Sequence, residues 1–229
     1  AKSTTKTATT LKSDVLTTLT NYNTSTLSQF DGVFRYSKVS SLIDATDNSI
    51  LSNITTLKIR KDFTPTLASS TKYNVYFRNA LYNPHSGHNS SAGGILESSG
   101  FKVSGDSSTV FYLDDDGAGN IRRYSFSGST RIYANNTQGT INYDTGAITI
   151  NSLSVLSVEN IRGAASTKIE LTVTPSSNDV VPVRDQIIEI DTANSSITVT
   201  ADTFVGGSAD AGVGYTTTSS YQWPSLPKR

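Results

Sequence analysis

The chain has 229 residues, enough for one large domain or two small ones, and it carries 19 basic and 19 acidic side chains. A zero net charge, without a run of five basic residues, argues against a nucleic-acid partner, because phosphate contacts require a basic excess. No apolar run reaches the ~18 residues that span a bilayer, and the absence of Cys excludes thiolate zinc sites and cysteine nucleophiles.

Serine and threonine account for 66 residues, and hydrophobic residues for only 35%. Thr favours strands because its branched Cβ packs on a pleated surface, and Ser favours turns because its hydroxyl bonds the nearby backbone. The composition therefore predicts a β-rich protein with many turns. The N-terminus AKSTTKTATT does not resemble a signal peptide, and since the chain has no Met we expect it to be a fragment of a longer protein.

Two helices are predicted first. Apolar residues at spacings of four, four and three predict a helix capped by Thr10 and ending near Asn23, with a stripe of Leu11, Val15, Leu19 and Tyr22. A second, shorter helix is predicted to be capped by Ser37 and to end at Asp47-Asn48, with an apolar face of Val39, Leu42 and Ile43.

A strand is predicted next, over residues 53–65, with Leu57, Ile59 and Lys61 on one face. Two helices on one strand do not make a stable layer, so a partner strand is needed. We expect that strand to come from missing upstream residues or from a second chain. Residues 1–68 are thus predicted to form a small α+β module that lacks one strand.

The remainder alternates with the period of strands. Residues 69–204 are predicted to form an antiparallel β domain, with strands at 72–79 and 166–174, a loop at 83–94, and hairpins at 108–128, 139–151 and 183–204. Residues 205–229 are predicted to be a C-terminal tail. The predicted fold class is α+β, a small N-terminal helix/strand module followed by a mostly antiparallel β domain.

The segment GTINYDTGAITIN, residues 139–151, is the clearest hairpin. Asp144 and Thr145 fit the centre of a type I turn, and Gly146 is predicted to adopt a positive φ. Asp144 is therefore interpreted as a turn former and not as a catalytic acid.

Two short motifs invite a metal interpretation. In LDDDGAGN, Asp114 and Asp116 fit the first and third positions of a calcium loop, but Ala118 and Ser125 stand where further oxygen ligands are needed. We favour a hairpin turn there. His85 and His88 could supply half a zinc site, but no Cys or HExxH helix accompanies them, and we interpret them as loop residues.

Other polar residues point to structural roles. Glu170 and Glu189 fall mid-strand, opposite the apolar face, and are interpreted as solvated. Of Arg122 and Arg123, one is expected to be exposed and the other to pair with an Asp. Tyrosines are interpreted as packing residues in preference to a sugar-binding face. No catalytic, cofactor-binding or metal residue, no cofactor and no small-molecule substrate is predicted.

The order of elements resembles that of a known family. In LKSDVLTTLTNYNTSTLSQFDGVFRYSKVSSLIDATDNSILSNITTLKIRKDF, a helix, the pair Phe30 and Phe34, a short helix and a strand resemble a module of contractile-tail baseplate proteins. FYLDDDGAGNIRRYSF…GTINYDTGAITINSL and VVPVRDQIIEIDTANSSITVT resemble the C-terminal region of the baseplate wedge subunit of T-even-like bacteriophages. The resemblance covers most of residues 11–204.

The resemblance implies a structural virion protein without enzymatic activity, located in the tail baseplate and assembled in the host cytoplasm. It implies self-association, contacts with other baseplate subunits and the joining of neighbouring wedges. The alternatives are a carbohydrate-binding adhesin or tail-fibre module, motivated by the tyrosines, and a glycan-cleaving enzyme with paired acids.

Overall fold

The computed structural model describes residues 6–88, 94–183 and 186–200. In these ranges it has two α-helices, a π-helical turn at Asn23–Leu27 and ten strands: α1 (Ala8–Tyr22), α2 (Tyr36–Ala45), β1 (Ile59–Phe63), β2 (Thr71–Tyr76), β3 (Glu97–Ser98), β4 (Phe101–Val103), β5 (Asp106–Asp115), β6 (Asn120–Ser127), β7 (Thr130–Asn142), β8 (Ala147–Leu153), β9 (Val155–Val158) and β10 (Ile169–Val173). The predicted α+β class is confirmed. Neither helix has the length and apolar character needed to cross a bilayer.

Helix α1 begins three residues before the predicted start. Thr7, in an extended conformation, is the N-cap, and its Oγ1 accepts a hydrogen bond from the Thr10 amide at 3.1 Å. Thr10 therefore lies inside the first turn, and the predicted cap was wrong. All four residues of the predicted apolar stripe are buried, and the π-helical turn extends the helix to Leu27, which is 1% exposed.

Helix α2 is capped by a residue from far along the chain. The Tyr36 amide donates to Asp179 Oδ1 at 2.9 Å, so Ser37 is not the cap that the sequence predicted. Arg35 precedes the helix and pairs with the same carboxylate at 2.8 Å. A distant carboxylate thus satisfies an amide that the first turn leaves unpaired.

The N-terminal module obtains its partner strand from within the chain. β1 pairs antiparallel with β10, which pairs with β3, so the sheet order is β1-β10-β3. The expectation that the partner comes from upstream residues or a second chain was wrong for residues 59–63. The predicted boundary after residue 68 crosses this sheet, and the division into domains stays a prediction.

A second, seven-stranded sheet surrounds the main core. Its order is β2-β8-β7-β6-β5-β4-β9, with every pair antiparallel. Leu67, just before β2, forms a bridge with Val155 of β9, where the Ala68 amide donates to the Val155 carbonyl at 2.7 Å. The two edges therefore approach each other, and the curled sheet encloses fully buried residues that include Phe101, Leu113, Ile121, Ile148, Ile150 and Leu153.

The hairpin of β7 and β8 has the predicted turn. Ile141 pairs with Ile148, and Gly146 has φ +66°, as expected from its place after Asp144 and Thr145. The Asn142 Oδ1 accepts hydrogen bonds from both of those amides at 3.0 Å. Asp144 is exposed and acts as a turn residue.

The predicted hairpin at 183–204 is not a strand pair in the described part of the chain. Residues 186–200 contain a turn at 192–194, and they form no strand on either side of it. Residues 184, 185 and 201–204 of this prediction lie outside the described residues. The predicted loop at 83–94 has no helix or strand over residues 83–88.

Candidate interaction surface

A second apolar cluster lies beneath the two helices. It joins α1 and α2 to the extended segments before β1 and after β10, and its buried members are Val15, Leu19, Tyr22, Leu27, Phe34, Val39 and Val180. Half-buried isoleucines pack against it from both segments, among them Ile50, Ile59, Ile188, Ile190 and Ile197. Residues 50–61 and 186–200 are thus held to the helices by their apolar side chains.

An open groove runs between these two segments, which we call the first wall (residues 50–61) and the second wall (residues 186–200). The cavity has a volume of about 2440 Å³. Large apolar side chains are exposed at its rim, with Ile54 at 98%, Leu51 at 55% and Ile187 at 48%. Isolated exposed side chains are ordinary on a protein surface, but three along one groove are typical of a contact surface.

Most of the first wall lacks a backbone partner strand among the described residues, although the Thr55 carbonyl accepts a hydrogen bond from the Tyr36 hydroxyl at 3.1 Å. In residues 51–58 the exposed and half-buried side chains alternate nearly as in a strand, yet no amide there donates to the backbone of another described residue. β1 continues this segment and is an edge strand, since only β10 pairs with it. β1 therefore has an open edge, and residues 51–58 lead into it without a ladder of their own.

Polar contacts hold the second wall in place. The Ile190 amide donates to Asn23 Oδ1 at 2.7 Å, and Asp191 pairs with Arg60 of the first wall at 2.5 Å. Arg60 also pairs with Glu170 of β10 at 3.0 Å. These bonds fix one end of the groove, where the two walls meet.

Two cations at the groove have no acidic partner among the described residues. Lys61 is half-buried and lines the groove, and Arg78 lies next to Phe77 and Asn79, which line it too. Burial and the nearby positive charge of Arg78 lower the pKa of the Lys61 ammonium. No ion pair within the described ranges includes either residue. The groove is therefore electropositive at this point and suited to a carboxylate.

A different surface lies on the outer face of β5, β6 and β7. We call it the aromatic–arginine face, and it comprises Tyr112, Asp114, Arg122, Tyr124, Phe126, Arg131 and Tyr133. Arg122 lies over the Tyr133 ring at 4.3 Å and Arg131 over the Tyr124 ring at 4.7 Å. Phe126, at 49% exposure, is the most open of its rings.

Asp114 organises this face. Its carboxylate is 1% exposed and accepts hydrogen bonds from Arg122 Nε at 2.9 Å, Arg131 Nη1 at 2.7 Å and the Tyr133 hydroxyl at 2.9 Å. Burial raises the pKa of Asp114, and these hydrogen bonds oppose that shift. Because its buried carboxylate is bonded by side chains of two neighbouring strands, Asp114 is a structural anchor.

The next residue, Asp115, was missed by sequence reasoning. It is completely buried, and its carboxylate accepts hydrogen bonds from the amides of Ile95 at 2.6 Å, Leu96 at 2.8 Å and Gly117 at 3.2 Å. The Tyr143 hydroxyl also donates to it at 2.6 Å. Asp115 thus joins three loops, but its local sequence carries no signal that separates it from the aspartates on either side.

The candidate metal motifs do not assemble ligands. Asp116 Oδ1 accepts hydrogen bonds from the amides of Ala118 and Asn120 across the turn, whereas Asp114 bonds Arg122, which agrees with the hairpin interpretation. His85 Nε2 and His88 Nδ1 lie 3.0 Å apart. No group of three potential metal ligands occurs among the described residues.

The remaining predicted polar residues have structural contacts. Glu170 pairs with Arg60 and Arg162, so it is not simply solvated. One of the two arginines, Arg122, pairs with an Asp as expected. The other, Arg123, is not exposed but half-buried, with its guanidinium 5.1 Å from the Phe111 ring centre, because it lies two residues after the buried Ile121 on the same face of β6.

The open edge, the apolar groove and its cations are features of a protein–protein interaction module. The first 62 residues of the chain match the model of the family described as baseplate structural protein gp6, C-terminal domain III. No curated protein matches the chain.

The family match confirms the predicted resemblance to a phage baseplate wedge subunit for residues 1–62. That segment contains α1, α2 and the whole first wall of the groove. Residues 1–62 are therefore similar to a domain of a phage baseplate structural protein. For residues 63–229 the resemblance stays a prediction.

Proposed function

We propose that this chain is a structural wedge component of a phage tail baseplate that joins neighbouring wedges through protein–protein contacts. The observation that carries the proposal is that the segment matching the baseplate family also supplies the first wall of the open groove. Unpaired strand edges and exposed apolar side chains are costly in a free protein and become useful when a partner covers them.

The proposal includes partners and location. The chain contacts other baseplate subunits and further copies of itself, it catalyses no reaction, and it resides in the virion tail after assembly in the host cytoplasm. Its zero net charge is consistent with a protein partner in preference to a nucleic acid.

Two measurements test the proposal. An antibody against the chain should label purified tails at the baseplate end in negative-stain electron microscopy, and unlabelled tails that otherwise assemble normally would contradict the baseplate role. Light scattering of the purified chain should give a mass above 24.5 kDa that rises with concentration. A monomer at every concentration would contradict self-association and leave the baseplate role standing.

The aromatic–arginine face favours one alternative function, carbohydrate binding. Flat rings beside charged hydrogen-bonding groups match the chemistry of a sugar face. A glycan array with the purified chain should then give a ligand whose binding is lost in Phe126→Ala. An array without any ligand would reject this alternative.

A further inference from the structure

The groove of the N-terminal module has an open backbone edge, exposed apolar side chains and unpaired cations in one place. We infer that it binds an extended acidic segment of a different protein chain, which pairs as a strand with residues 51–58 and brings a carboxylate to Lys61 and Arg78. This inference rests on the proposed function, since the partner is taken to be another baseplate subunit.

The backbone is the first reason. An added strand would give the amides and carbonyls of 51–58 the ladder partners that they lack among the described residues. β1 already continues this edge in strand geometry and has one side free. A partner strand would therefore extend the β1-β10-β3 sheet without rearranging it.

The rim supplies a second reason. Ile54 on the first wall and Ile187 on the second are both exposed and both line the groove. A strand lying between the walls can place apolar side chains against both of them, since its side chains alternate between two directions. The occupant is therefore expected to be apolar at alternate positions.

The charge of the groove specifies the rest of the occupant. Lys61 and Arg78 are near enough to repel each other, and neither has an acidic partner in the described ranges. An Asp or Glu of the occupant would remove that repulsion and could bond the planar guanidinium of Arg78 through two oxygens. An occupant with a basic residue at this position would be rejected.

The described residues explain why the partner is a different chain. The acids that the groove's own second wall could offer are Glu189 and Asp191, which lie outside the helices and strands. That wall is held to its own helices by Ile188 and Ile190 and by the bond to Asn23. The second wall therefore cannot fill its own groove, or the groove of a second copy, without losing these contacts.

Photo-crosslinking in assembled tails tests the inference. A photoreactive phenylalanine analogue at position 54 should crosslink to one segment of a different baseplate protein. Mass spectrometry should show an Asp or Glu in that segment. Crosslinks only to peptides of this chain, or none in tails that contain it, would overturn the inference.

Charge variants test the mechanism in the same tails. Lys61→Glu and Arg78→Glu should each lower the crosslink yield about tenfold, equivalent to ~1.4 kcal/mol, and Lys61→Arg should preserve it. Lys72→Glu is the matched control, because Lys72 is exposed on β2 outside the groove lining and should leave the yield unchanged. An equal yield in wild type and Lys61→Glu would overturn the role of the cations.

Hydrogen exchange separates strand pairing from side-chain contact alone. The amides of residues 51–58 should exchange rapidly in the isolated chain and become protected in tails. Unchanged exchange in tails that give the crosslink would overturn strand addition. If the chain is absent from tails by immunoblotting, the proposed function itself fails, which is a different outcome from an unoccupied groove.

Discussion

The seven-stranded sheet and the N-terminal module solve the same problem of burial in different ways. The sheet curls until the segment before β2 touches β9, and Leu113, Ile121 and Ile150 inside it are completely buried. The module keeps an open groove, with Ile54 at 98% and Leu51 at 55% exposure. A region that buries its own core needs no partner, whereas the module leaves the surface that a partner would cover.

Leucine truncations give the largest expected contrast. Leu113→Ala should lower the free energy of unfolding by about 2–5 kcal/mol, because it opens a cavity in a closed core. Leu51→Ala removes the same atoms from an exposed position and should change it by less than about 0.5 kcal/mol. Urea denaturation measures both, and equal losses would show that the groove is closed in solution.

Glycine substitutions test how tightly the β domain is built around its clearest hairpin. A Cβ at Gly146 would lie 2.4 Å from the Asn79 carbonyl oxygen, in addition to the strain of φ +66°. Gly128 has a similar φ of +61° and open space around it. We expect Gly128→Val to cost about 1–2 kcal/mol and Gly146→Val at least ~1 kcal/mol more.

Thermal unfolding of the two glycine variants separates strain from crowding. Equal melting temperatures would mean that the turn moves away from Asn79 at no cost, which contradicts the packing assigned to this hairpin.

A single hydroxyl group tests the buried Asp115 network. Tyr143→Phe removes one donor to a fully buried carboxylate and should lower the free energy of unfolding by about 1.5–3 kcal/mol. Tyr76→Phe is the control, since Tyr76 is 52% exposed on β2. If both variants unfold at the same urea concentration, Asp115 does not hold the loops together.

Local patterns predicted the elements better than their partners. The stripe of α1 was predictable because helical packing follows a fixed period, and Gly146 because few residues other than Gly suit its turn. The partner strand of β1 and the cap of α2 were not predictable, since β10 and Asp179 lie more than 100 residues away in the sequence. No periodicity links such distant segments.

The candidate surface was even less predictable. Lys61 was assigned to the correct face of its strand, but the positive charge that accompanies it in the groove comes from Arg78, which lies just after β2. Residues 53–58 were interpreted as part of a strand, because a sequence pattern indicates strand-like alternation and not whether a partner strand is present. Open edges are therefore visible only in the fold.

The smallest expected effect concerns the bonds to Asp179, which attach helix α2 of the N-terminal module to the chain after β10. The hydrogen bond from Arg35, followed by that from the Tyr36 amide, lowers the pKa of Asp179 from its ordinary value of 3.8. Because the folded-state pKa of Asp179 is lowered, the stabilisation that the ionised carboxylate gives to the fold is present above pH 3.8 and is lost as the pH falls through the lowered value.

Tyr36 amide exchange, corrected for the intrinsic rate, should therefore show less protection near pH 2 than at pH 6. Asp179→Ala removes the acceptor, so it should reduce protection at pH 6 and remove that difference, while Asp144→Ala, in an exposed turn of the other sheet, should leave it intact. Equal protection of Tyr36 in wild type and Asp179→Ala at pH 6 would mean that the helix does not need this cap.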